Sequence, residues 1–163
     1  MPQFIMESRD HAARAESPFV LGFIEAMFFT EHSSIYTADE WFSDECQADR
    51  ESGQADGELP GDVGYTDIHP DSLAAIRRDC AAWQTENADL LSQAFACGYD
   101  EAQAGRDYWY TRNGHGVGFW DRSELDEDGL GDRLAQACKY KEVSVFFGDH
   151  VTYGDAPFVH VDL

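Results

Sequence analysis

The sequence predicts an α+β domain, in which N-terminal helices are followed by a small antiparallel sheet with one helix packed across it. Two observations carry this. Before Gly105, apolar residues recur at helical spacing over 18–30 and 71–96. After Gly105, glycine-rich turns separate short aromatic and β-branched runs, and one further helical pattern covers 130–140.

The elements follow in order. Residues 1–17 are polar and are expected to be a disordered N-terminus, leaving 18–163 as one domain. Pro18 suits the first turn of a helix with Ser17 as its N-cap. Phe19, Phe23 and Met27, with Val20, Ile24 and Phe28, give that helix its core stripe over 18–30. Thr37 and Glu40 have the spacing of a capping box, which predicts a short acidic helix carrying Trp41 and Phe42. Residues 47–66 contain Gly53, Gly57, Pro60, Gly61 and Gly64 and read as an acidic loop.

The clearest helix opens after Pro70 and runs over 71–96, with Leu73, Ile76, Cys80, Trp83, Leu90 and Leu91 on its stripe. A shorter helical piece over 99–104 ends at Gly105. The aromatic run 107–112 reads as a strand, 113–118 as a glycine-rich turn, and Phe119-Trp120 as the returning strand. Leu130, Leu134 and Ala137 mark a helix over 130–140. A strand over 143–147, a turn at 148–150 and a hairpin partner at 151–153 follow, with an edge strand at 158–161.

Charge is the strongest functional signal. The chain has 32 Asp and Glu against 11 Lys and Arg, a formal net charge of -21 over 163 residues. Eleven acids and one base, Arg50, fall within 38–71, and a second run holds Glu124, Asp126, Glu127 and Asp128. Such a field repels nucleic acid, anionic lipid and phosphorylated substrates, and it attracts basic surfaces over a Debye length of about 10 Å. Direct nucleic-acid binding is therefore disfavoured, since Arg77-Arg78 is the one adjacent basic pair. The 13% aromatic content excludes a disordered acidic tail. Two lysines against nine arginines fit salt adaptation as a competing reading, but eleven Phe make an unusually apolar interior for it.

Cys46, Cys80, Cys97 and Cys138 match neither a metal clip nor a compact disulfide framework, so they are read as small buried residues of a reduced, cytoplasmic protein. No signal peptide is recognised, and the apolar run 19–29 contains Glu25 and is too short to span a bilayer.

The segment 112–122 is the one most like a catalytic site. In the functional reading, His115 transfers protons, oriented by Asp121 and accompanied by Arg112. The preferred reading is a tight hairpin with glycines at positive φ and an Arg112–Asp121 ion pair across it. The glycines form neither a Walker loop nor a dinucleotide fingerprint. No cofactor is expected, and no dedicated metal site: Asp39-Glu40, Asp44-Glu45 and Asp126-Glu127-Asp128 lack the ligand order of an EF-hand. His69, His150 and His160 show no ligand spacing.

Carboxylates on a rigid body can imitate the charge array of B-DNA, which carries one charge per ~1.7 Å of axis. On that reading the partner-binding residues are Asp39, Glu40, Asp44, Glu45, Asp49 and Glu51, with Glu124, Asp126, Glu127 and Asp128.

The stretch Asp67-Ile68-His69-Pro70-Asp71-Ser72-Leu73, then Asp79-Cys80, Asn87-Ala88-Asp89, the run 105–122 and 130–134 resemble a family of small uncharacterised bacteriophage and prophage proteins. Its core, Thr-Arg-Asn-x-His-Gly-x-Gly-Phe-Trp-Asp-Arg, is kept here at 111–122. The chain departs from the family at 148–153, where a Gly-Asp-Asp turn is usual, and in its 158–163 tail. The resemblance implies an accessory protein acting in the cytoplasm of an infected bacterium, and it transfers no catalytic residues. Joined to the charge, it leads to an expected function: a non-enzymatic inhibitor that binds the basic nucleic-acid-binding surface of a host defence enzyme of restriction or CRISPR type. It would act as a monomer or dimer, with no membrane partner. The alternatives are a small enzyme using Arg112, His115 and Asp121, and a structural phage protein whose acidity only keeps it soluble.

Overall fold

In the computed structural model, which describes residues 11–138, 142–149, 154 and 156–163, the fold is α+β, with six α-helices and a two-stranded antiparallel sheet. Helix α1 (Pro18–Glu31) is its spine. Ser17 caps it, the hydroxyl accepting from the Val20 N–H at 3.3 Å, and Pro18 occupies the first turn. Phe19, Phe23, Ile24, Met27 and Phe28 are fully buried along it. Ahead of it, His11–Ala15 forms a 3-10 turn with Ala13 buried; residues 1–10 of the expected disordered segment lie outside the described residues.

The chief partner of α1 is α5 (Glu101–Arg112). This corrects the expected helix end at Gly105 and the expected strand over 107–112. Gly105 is inside the helix because α1 leaves no room for a side chain: a Cβ there would run into the Phe19 carbonyl, and one on Gly22 into the Ala102 carbonyl. The two glycines let the backbones approach closely, which outweighs the roughly 1 kcal/mol that a mid-helix glycine costs. Tyr108, Trp109 and Tyr110 are all buried, so the run that reads as a β-strand is a helix enclosed on most sides. Phe119-Trp120 is likewise no strand but part of a 3-10 turn, Phe119–Asp121, so the expected hairpin at 107–120 does not form.

Helix α2 (Asp44–Ser52) starts at the Ser43 cap rather than at Thr37 and ends on Gly53 at φ 74°. The Thr37–Glu40 pair does form: the Thr37 N–H and hydroxyl both donate to Glu40, at 3.1 and 2.9 Å, but they close a turn and not a helix. The loop expected over 47–66 is therefore six residues of α2 followed by a braced segment. In that segment Leu59 pairs with His32 in a parallel bridge, and Asp56 accepts from the Ser34 N–H at 3.0 Å and the Ser34 hydroxyl at 2.7 Å.

The helix expected over 71–96 divides into α3 (Pro70–Glu86) and α4 (Ala88–Ala96). Asn87 makes the break, its side-chain amide donating to the Trp83 carbonyl at 2.9 Å. Two short 3-10 turns, Ser123–Leu125 and Glu127–Gly129, lead into α6 (Leu130–Ala137), which packs on α4 and the Phe119 turn.

Strand β1 (Ser144–Asp149) pairs with β2 (Pro157–Asp162), with Val145 opposite Val161 and Phe147 opposite Val159. Gly148 and Asp149 are thus strand residues and not a turn, and the expected edge strand at 158–161 is the partner of β1. The hairpin partner expected at 151–153 lies outside the described residues. Helix α3 lies along β2: the Val161 N–H donates to Ser72 Oγ at 3.0 Å, and the His69 N–H donates to the Val159 carbonyl at 2.9 Å. Among the described residues, no helix is long and apolar enough to cross a membrane.

Candidate functional site

The acidic surface of α2 rests on a fixed base. Cys46 is fully buried and anchors the helix, and the Trp41 ring, 1% exposed, carries the Arg50 guanidinium 4.3 Å above its centroid. Gln47 donates to the Trp41 carbonyl at 2.8 Å. Asp39, Glu40, Asp44, Glu45 and Glu51 are exposed around this base. Asp44 and Glu45 occupy the first turn, where the helix dipole favours their charge. Glu40 is held below the usual carboxylate range by its hydrogen bonds from Thr37. Asp49 differs from the others. It is half-buried and accepts from the Tyr36 hydroxyl at 2.6 Å, a bond that pushes the phenol up to about 12, so its role is partly structural.

The second acidic run lies on another part of the fold. Glu124, Asp126, Glu127 and Asp128 are exposed on the 3-10 turns before α6, anchored by Leu125 at 1% exposure. Asp128 sits at φ 55°, in the left-handed region.

The glycine-turn residues are not brought together. Arg112 forms no hairpin pair with Asp121. It closes α5 and donates to Asp79 and, at 2.9 Å, to the Tyr108 hydroxyl, with its guanidinium 4.9 Å from the Tyr108 ring centroid. Asp121 is exposed on the 3-10 turn. His115 faces Glu31 instead, with Nε2 3.7 Å from the carboxylate. Burial lowers its pKa, while burial raises that of Glu31, the Glu58 charge adding to the rise. The positive φ expected of the glycines holds at Gly114 (65°) and Gly116 (75°).

Three polar clusters have no counterpart in the sequence reading. Asp107 is fully buried, accepts from Arg122 Nε at 2.7 Å and Nη2 at 2.5 Å, and takes the Tyr99 hydroxyl at 2.6 Å. The Asp79, Tyr108 and Arg112 cluster lines a shallow cleft of about 350 Å³ with Trp83, Glu86 and Cys138. A second cleft, of about 440 Å³, lies between the end of α1, the glycine turn and β1. The i, i+4 spacing of Tyr108 and Arg112 was the available signal for the Asp79 cluster, and reading 107–112 as a strand concealed it.

All four cysteines are free. Cys46, Cys80 and Cys138 are buried as expected, with thiols pushed up by desolvation, that of Cys138 to about 12. Cys97 is exposed, contrary to the expectation. Among the described residues, no three His, Cys, Asp or Glu side chains are grouped to hold a metal ion.

No protein-family model, curated protein or solved structure matches the chain.

Proposed function

We propose that the protein binds a basic, nucleic-acid-handling surface of another protein and occludes it, with exposed carboxylates standing in for phosphates. One observation carries this reading: Asp39, Glu40, Asp44, Glu45 and Glu51 are exposed around one short helix whose base is fixed by buried Cys46 and Trp41. Acids on a fixed backbone lose little backbone freedom on binding, unlike acids on a flexible loop. The run from Glu124 to Asp128 adds long-range steering from elsewhere on the surface.

The resemblance of 111–122 to phage proteins gives the setting: an accessory protein in the host cytoplasm whose target is a defence enzyme of restriction or CRISPR type. The enzyme alternative has weaker support, because Arg112, His115 and Asp121 face three different surroundings.

The test is a charge-neutralised protein carrying Asp39→Asn, Glu40→Gln, Asp44→Asn, Glu45→Gln and Glu51→Gln. Target binding by the parent falls steeply with added salt, and the variant loses most of its affinity while keeping its circular-dichroism spectrum. Unchanged binding by a folded variant defeats the proposal.

A further inference from the structure

Among the described residues, one edge of β1 pairs with no other strand, and the ladder shows which groups lie on it. Val159 gives its carbonyl to the His69 N–H, and Val161 gives its N–H to Ser72, both away from β1. Their cross-strand partners, Phe147 and Val145, therefore turn their own N–H and C=O away from β2. In the same alternation the Val143 N–H points outward and donates to Asn113 Oδ1 at 2.9 Å, which closes the start of this edge. Beyond it, Val145 and Phe147 have no outward hydrogen-bond partner among the described residues.

The edge opens onto the cleft of about 440 Å³, lined by Val143, Ser144 and Val145 and by Glu31, Glu58 and Glu142. Among the described residues, one arginine serves the three carboxylates: Arg50 meets Glu58 at 2.9 Å. Glu31 has no arginine or lysine partner among the described residues, its carboxylate meeting the Thr30 hydroxyl at 3.2 Å and His115 at 3.7 Å, and Glu142 forms no ion pair among them. Among the described residues, these carboxylates do not group to hold a metal ion. An edge without hydrogen-bond partners supplies a ladder, and the cleft carboxylates supply sites for cationic side chains.

We propose that this cleft takes an extended, lysine- or arginine-bearing segment of a partner protein as a third strand on β1. Charge complementarity selects this occupant. A second copy of the chain would bring another -21 to the same edge. The proposal rests on the reading that the partner is basic but uses none of the α2 carboxylates.

The probe is the peptide acetyl-Thr-Lys-Val-Arg-Thr-amide, titrated at low salt into the ¹⁵N-labelled protein. The expected result is saturable shifts, with slowed exchange, at the Val145 and Phe147 amides. Affinity should fall about tenfold in Glu31→Gln/Glu142→Gln, and again when the peptide amides that face β1 are N-methylated. No binding, equal binding of the N-methylated peptide, or shifts at 145 and 147 that depend on protein concentration alone overturns the proposal; the last outcome identifies the occupant as a second copy. The α2-neutralised variant keeps the peptide within about threefold, so loss of the host target with peptide binding intact counts against the α2 reading and not against this one.

Discussion

Arg122 holds the carboxylate of Asp107 with two nitrogens, Nε at 2.7 Å and Nη2 at 2.5 Å, tying the turn after α5 back onto the helix. Asp107 is fully buried and the Arg122 side chain is 25% exposed, so this fork and the Tyr99 hydroxyl are the hydrogen bonds that offset burial of the carboxylate. Removing one member of such a pair costs about 3 kcal/mol, because the other is left uncompensated. Asp107→Asn and Arg122→Gln should each lower stability by that order in urea unfolding. The double variant should lose clearly less than the sum, and strict additivity would show that the fork does not couple them.

Gly105→Ala places a methyl group against the Phe19 carbonyl, and Gly22→Ala does the same against Ala102. Alanine at an ordinary helix site gains up to about 1 kcal/mol over glycine. Here each change should instead destabilise by about 3 kcal/mol, since neither backbone can yield without separating α1 from α5. A midpoint that rises in either variant contradicts the close approach.

The same contact explains what the sequence concealed. Helix α1 was legible because Ser17, Pro18 and its Phe and Met spacing agree with one another. Helix α5 was not. Burial on nearly every side removes the polar face that reveals a helix, and Tyr108-Trp109-Tyr110 has strand-like composition. Gly105 resembles a terminator until its packing partner is known. The Asn87 break was obscured for a different reason: the apolar stripe continues through Leu90 and Leu91 on the next helix. The charge of α2 was plain in the sequence. The placing of His115 beside Glu31 depends on the path of α5 and had no local signal.

Glu31 gives a pH dependence with a definite sign. Burial holds its folded pKa above the unfolded value, Glu58 repulsion adds to this, and the Thr30 hydroxyl opposes it. Ionisation is thus disfavoured in the native state: the cost is absent below the unfolded pKa, grows as pH rises, and is complete above the folded pKa. Glu31→Gln should therefore melt above the parent at pH 7 and close to it below pH ~4. A stabilisation that is equal at both pH values would show that the charge of Glu31 is not the cause.

Self-repulsion from a net charge of -21 weakens the folded state, and added salt screens it. The melting temperature should rise as sodium chloride goes from low concentration toward about 0.5 M, where the Debye length is only a few ångströms. The α2-neutralised variant should show a smaller rise. A flat salt series would mean that the acids are already spaced widely enough to be independent.

The most direct measurement immobilises the parent and the α2-neutralised protein side by side, passes bacterial lysate at low salt, and elutes with rising salt in the presence or absence of duplex DNA. The parent alone should retain a DNA- or RNA-handling enzyme, moderate salt should release it, and duplex DNA should displace it. Equal retention on both proteins, or capture that duplex DNA leaves untouched, contradicts nucleic-acid mimicry by α2.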